Sequence, residues 1–167
     1  MDDISEDIRA LLDRQAIWDC LMRYTRGVDR LDAELIRSAY WPDAFDSHGP
    51  MSGTPEQFIA KWLPTQATRE AGQHFVGNHA VWLRGAVADA ETYFMSSMKS
   101  TGSSVLRIVA GRYLDRFERR DGEWRIKERV VVLDWQCDSD ASGMADVLSG
   151  RVRGVRSRED PSYSMKE

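Results

Sequence analysis

The sequence predicts an α+β fold: a cone-shaped half-barrel in which N-terminal helices pack on a curved, mainly antiparallel β-sheet. Three observations lead there. Apolar residues recur at helical spacing as far as Leu63. After residue 70 the period changes to alternating or continuous β-type runs. Helices first and strands afterwards oblige the sheet to bury its inner face on the helices, leaving a cone that is filled by side chains or holds a small ligand.

The first helix is read from Ile8 to Asp29, where Ile8, Leu11, Leu12, Trp18, Leu21, Met22 and Val28 form one broad apolar stripe. Ser5 is its expected N-cap, with Glu6 and Asp7 suited to the positive end of the helix dipole. Asp32 is expected to cap a second helix through AELIRSAYW, ended by Pro42. A third is signalled by Thr54 as N-cap and Pro55 at the first helical position, followed by Phe58, Ile59, Trp62 and Leu63 before Pro64. A short extended piece at Ala44 to Ser47 is expected as an edge strand. Four strands follow in QHFVGNHAVWL, AVADAETYFMSSM, SVLRIVAGRYLDRFERR and EWRIKERVVVLDW. Asp121–Gly122 predicts a tight hairpin between the last two, because both residues tolerate positive φ.

The 167 residues suffice for one core. Residues 1–137 form the expected domain; 138–167, rich in Ser, Gly, Asp and Arg, read as a tail or cover, partly mobile, with Arg151, Arg153, Arg156 and Arg158 taken as solvated. With 23 basic against 27 acidic side chains and a net charge of −4, no overall positive field is available to recruit nucleic acid or an anionic membrane. No apolar run approaches a membrane span, and the acidic N-terminus has no apolar leader. Cys20 and Cys137 lie far apart with no metal-ligand spacing, so neither a disulfide framework nor a zinc site is expected, and a cytoplasmic setting fits. No zinc-hydrolase, nucleophile-elbow, P-loop or dinucleotide fingerprint is present, and no cofactor is implied.

One carboxylate stands out. Asp29 follows Leu11 by 18 positions, close to five whole turns, which puts it on the apolar stripe unless Gly27 ends the helix and releases it into a turn with Asp32. A carboxylate facing an apolar interior needs a partner. The proton-exchanging candidates near neutral pH are His48, in a turn-rich and exposed stretch, His74 and His79. The last two share a strand at odd spacing, so an unbulged strand sends them to opposite faces, and parity does not choose between them.

The segments RQAIWDCLMRYTRGVDRLD, AYWPDA, QHFVGNHAV and RFERRDGEWRIKER together resemble the SnoaL-like family, of the nuclear-transport-factor-two type of cone fold, from about Ile8 to Trp135. The resemblance is closest to the branch with scytalone dehydratase, bile-acid 7α-dehydratase and hexachlorocyclohexane dehydrochlorinase. It implies that His74 pairs with Asp29, and that Tyr24 matches an active-site tyrosine, although an ideal helix puts Tyr24 about 140° away from Asp29. It also implies that Arg129 occupies the place of a cavity arginine. Strand parity instead groups Arg129 with solvent-facing Arg125 and Lys127, unless a bulge intervenes, and then with Val131, Leu133 and Trp135, which do not look solvent-facing. Trp41, Phe45, Phe58, Trp62 and Asn78 complete the expected substrate-binding set, with Phe75, Trp82 and Met98 as further wall aromatics and apolars.

The expected function is that of a cofactor-independent lyase, removing water or a hydrogen halide from a small, largely apolar, cyclic substrate through the Asp29–His74 dyad. A proton shift on the same dyad, as in an isomerase or polyketide cyclase, is one alternative. A non-catalytic ligand-binding or partner subunit is the other. The continuous apolar run Val130 to Leu133 implies strands covered on both faces, and so a homo-oligomer, dimer or trimer.

Overall fold

A computed structural model of the chain describes residues 2–144 and 150–166. Helix α1 (Asp2–Arg30) leads through the short α2 (Ala33–Ser38), strand β1 (Tyr40–Ser47) and helix α3 (Pro55–Gln66) into four long strands: β2 (Arg69–Arg84), β3 (Val87–Ser100), β4 (Val105–Arg120) and β5 (Glu123–Asp140). The strands form one sheet in the order β1-β5-β4-β3-β2, antiparallel except where β1 lies parallel to β5. Edge strands β1 and β2 do not pair with each other, so the sheet stays open and the helices close its inner side. No described helix is long and apolar enough to cross a membrane.

Local chemistry explains the elements and shifts several of their expected ends. Helix α1 is already formed at Asp2, three residues before Ser5, which is therefore inside the helix rather than its cap. The N-terminal part of its stripe is uncovered: Leu11 is 66% exposed, and Ile8 and Leu12 are similarly open, because the sheet reaches only the later turns. Gly27 does not end the helix. Its missing side chain lets α2 approach, since a Cβ there would lie 2.8 Å from Ile36. The turn falls instead at Leu31, whose φ of 54° breaks the helical path, so Asp29 stays helical. Asp32 does cap α2, accepting from the Glu34 and Leu35 amides, but α2 stops at Ser38 and Tyr40, Trp41 and Pro42 belong to β1. Thr54 and Gln57 form a capping box on α3, which runs past Pro64 to Gln66 because a proline in the last turn forfeits only one interior bond.

The Asp121–Gly122 turn has both residues at positive φ, as expected. It is fastened to α1 by Asp13, which accepts from Trp124 Nε1 at 2.8 Å and from Arg119 at 2.9 Å.

Two bulges decide which way the site residues point. In β2, Gly77 pairs with Tyr93 and His79 with Thr92, so Asn78, with φ 44°, is an extra residue and the facing parity inverts after it. His74 and His79 therefore face the same, inner side, contrary to the expectation for an unbulged strand. In β5, Glu128 pairs with Arg116 and Ile126 with Phe117, leaving Lys127 as the extra residue and turning Arg129 inward. Leu133 and Trp135 are exposed, not covered, in the isolated chain.

Candidate active site

The last turn of α1 and the start of β2 bring Asp29 and His74 together. His74 Nδ1 lies 2.7 Å from Asp29 Oδ1, and the His74 backbone amide donates to Asp29 Oδ2 at 3.0 Å. A carboxylate only accepts, so Nδ1 carries the proton and Nε2 is the free basic nitrogen. The side chains retain 17% and 14% of their accessible surface, so the pair is sheltered yet reachable. The His74 ring also neighbours Phe94, at 6.4 Å between centroids.

Below the dyad lies a stack of buried aromatic rings. Phe94 stacks on Tyr113 at 4.5 Å, and Tyr113 meets Tyr24 edge-on at 5.8 Å. Gly111 makes room for the neighbouring strand and for this stack, because a Cβ there would overlap the Val132 carbonyl oxygen and lie 3.1 Å from the Phe94 ring. Arg129 is 1% exposed and lies between Tyr24 and Tyr113, 4.1 Å from each ring centre. Asp115 accepts from its Nε and Nη2, both at 2.7 Å. Burial opposes the charge on Arg129, but the Asp115 carboxylate overrides this and holds the guanidinium protonated well above its ordinary range. Burial likewise pushes the Tyr24 hydroxyl far above the usual tyrosine value. Arg129 is thus neither a surface residue nor open to a substrate, and Tyr24 is part of the floor beneath the dyad.

A second carboxylate–imidazole contact lies on β1. Asp46, fully buried, accepts from Tyr40 Oη at 2.5 Å, and His48 Nδ1 is 3.3 Å from its other oxygen. His48 is half-buried, not exposed as expected, with its ring stacked on Phe58. His79 is held by Thr92 Oγ1 at 2.7 Å and by the Trp18 ring, and burial, aided by the Arg14 charge, lowers its pKa.

The expected apolar wall is only partly assembled. Phe58 is fully buried and Trp62 stacks on it, both from α3. Phe45 is 52% exposed, and Phe75 and Trp82 point outward on β2. Trp41 is half-buried against the edge of the core, donating to the Glu118 carbonyl and flanked by Arg120 and Arg125. Asn78 is exposed at its bulge, its backbone rather than its side chain having the structural effect.

The C-terminal segment lies over the end of α1. Arg156 donates to the backbone carbonyls of Asp29 and Val28, at 3.2 and 3.4 Å, capping the negative end of the helix dipole. Its guanidinium occupies the space above Gly72, where a Cβ would be 2.9 Å away. Arg158 forms a two-point pair with Asp32, and Tyr163 donates to the same carboxylate at 2.8 Å. Among the described residues no group of three or more His, Cys, Asp or Glu is placed to hold a metal ion. Cys20 and Cys137 are both free thiols.

The SnoaL-like domain family matches residues 9–130 of the chain, a span that contains the dyad, the floor and both bulges. The chain belongs to the SnoaL-like family. No curated protein matches it by sequence. Among solved structures it is similar to a candidate scytalone dehydratase from Novosphingobium aromaticivorans, at 18% identity and a TM-score of 0.72, over 83% of this chain and 92% of that one. It is also similar to the hexachlorocyclohexane dehydrochlorinase LinA-type3 from Novosphingobium barchaimii, at 18% identity and a TM-score of 0.71, over 82% of this chain and 95% of that one. A function-unknown protein from Mycobacterium tuberculosis matches at 20% identity and a TM-score of 0.65, over 75% and 74% of the two chains. At these identities the likeness concerns the fold.

Sequence reading of this SnoaL-like domain missed Asp115, Tyr113 and Phe94, and took Arg156, which is docked on α1, as solvated. A signal for the first existed: in RYLDRF, Asp115 shares a strand face with Tyr113 and Phe117, so an acid was due to be buried between two aromatics. Arg156 had none, because its seat at Gly72 is made by residues more than eighty positions away.

Proposed function

We propose that this SnoaL-like protein is a cofactor-independent lyase of the dehydratase or dehydrochlorinase type, acting on a small, largely apolar, cyclic substrate with His74 as the general base. The observation that carries the reading is the two-point grip of Asp29 on His74. With Nδ1–H committed to Asp29, the free Nε2 takes a proton from carbon. The C–H electron pair becomes the new double bond as a hydroxyl or halide leaves with its own electrons. A departing hydroxide recovers the proton from the imidazolium and leaves as water; a halide leaves as the anion, and the imidazolium returns its proton to solvent. Asp29 stabilises the imidazolium formed on the way, and base catalysis of this kind contributes about 10²–10⁴-fold. The likeness to structures named as a dehydratase and a dehydrochlorinase supports the same class.

The test is a mass-spectrometric screen of small cyclic alcohols and halides for loss of water or hydrogen halide, with the His74→Ala variant beside the wild type. Turnover that vanishes in a folded His74→Ala protein supports the reading, and turnover retained there overturns it. A product of unchanged mass assigns the dyad to a proton shift instead.

A further inference from the structure

At the open end of the cone the inner face of the sheet carries a depression of about 250 Å³, lined by Arg69, Met98, Ser100, Ser103, Val105, Arg107 and Asp138. It adjoins the dyad. Met98 lies two residues beyond Ser96, the register partner of His74, on the same strand face and so roughly 7 Å further along. The charges in it do not cancel. Arg107 is neutralised by a two-point pair with Asp138, at 2.9 and 3.0 Å. Arg69 is half-buried, contacts the Met98 thioether, a weak acceptor, and has no ion-pair partner among the described residues. Beside it stands Arg156, whose Nη1 is buried with no hydrogen-bond partner among the described residues. Burial and the neighbouring Arg107 charge both work against the Arg69 guanidinium, and Arg69 in turn acts on Arg156.

A desolvated guanidinium without a counter-charge is costly, and a ligand that brings one removes the cost. We propose that this depression is the anion subsite of the active centre, and that Arg69 there binds a carboxylate carried by the substrate. The inference rests on the lyase reading for its account of what happens at His74. It narrows the substrate to a ring with a carboxylate arm, the ring over the dyad and the arm toward the mouth. One guanidinium without an ion-pair partner among the described residues lines the depression, which matches the single charge and planar fork of a carboxylate better than the larger charge of a phosphate.

The experiment measures binding of benzoate, benzamide and phenyl phosphate to the full chain by calorimetry, in the wild type and in Arg69→Gln and Arg69→Lys. The expected result is benzoate binding that exceeds that of its neutral isostere and weakens about tenfold or more in Arg69→Gln. It is retained in part by Arg69→Lys. Equal binding of benzoate and benzamide, an unaffected Arg69→Gln protein, or absence of benzoate binding to the wild type overturns the proposal. So does an Arg69-dependent preference for phenyl phosphate, which would assign the subsite to a phosphate. Because none of these readouts needs turnover, failure of the subsite and failure of His74 as base are separate outcomes.

Discussion

Asp29 holds His74 by both ring and backbone, at 2.7 and 3.0 Å, so one carboxylate fixes both the orientation of the imidazole and the position of the strand that carries it. Replacing Asp29 by Asn keeps a similar shape but removes the charge and allows the ring to present the other tautomer. Activity in Asp29→Asn is expected to fall by about 10²–10⁴-fold with the fold intact. Ring-nitrogen NMR of His74 together with far-UV circular dichroism checks both halves; an unaltered tautomer with normal turnover contradicts the assignment.

The floor depends on a buried ion pair. Removing Asp115 leaves Arg129 charged and uncompensated between two tyrosine rings, and Asp115→Asn is expected to cost about 3–5 kcal/mol. Chemical denaturation measures it. A loss below about 1 kcal/mol would show that the guanidinium finds water or another partner.

His79 gives the fold a pH dependence of definite sign. Burial lowers its folded pKa below the ordinary 6.5, so the unfolded chain binds the proton more readily in the window beneath that value. Stability is therefore complete above about pH 6.5 and declines as the pH falls through that window toward the folded pKa. In His79→Gln, which keeps a hydrogen-bonding group for Thr92, the decline below about pH 6.5 is expected to flatten. Thermal unfolding across that range tests it, and parallel curves for the two proteins refute it.

The seat of Arg156 is open to a single-atom test. An added Cβ at residue 72 meets the far end of a flexible side chain, so Gly72→Ala should lower stability by less than about 1 kcal/mol while displacing the guanidinium. Amide exchange in residues 150–166 is expected to quicken, and unchanged protection there would show that the segment is held without it.

Much of the architecture was legible along the chain because it follows from local rules: apolar spacing for the helices, the caps at Asp32 and Thr54, the two positive-φ residues of the last hairpin. Asp29 could be picked out as a carboxylate on an apolar stripe. Its partner could not be picked out by pattern, since strand parity was silent between His74 and His79; a family resemblance pointed to His74. The reason for that silence is the bulge at Asn78, one inserted residue that reverses every facing beyond it. The same holds for Arg129, which alternation assigned to solvent until the extra residue at Lys127 turned it into the core.

Element order, the helix caps, the closing hairpin and the need for something to satisfy Asp29 were all written into the residues and their spacing. Assembly in three dimensions chose which imidazole answers that need, made Arg129 and Tyr24 the floor, and laid Arg156 over the end of α1, while Arg69 has no ion-pair partner among the described residues. Periodicity is a property of neighbours along the chain. Facing, burial and charge compensation are properties of the register between strands and of segments that meet only when the sheet has curved around the helix.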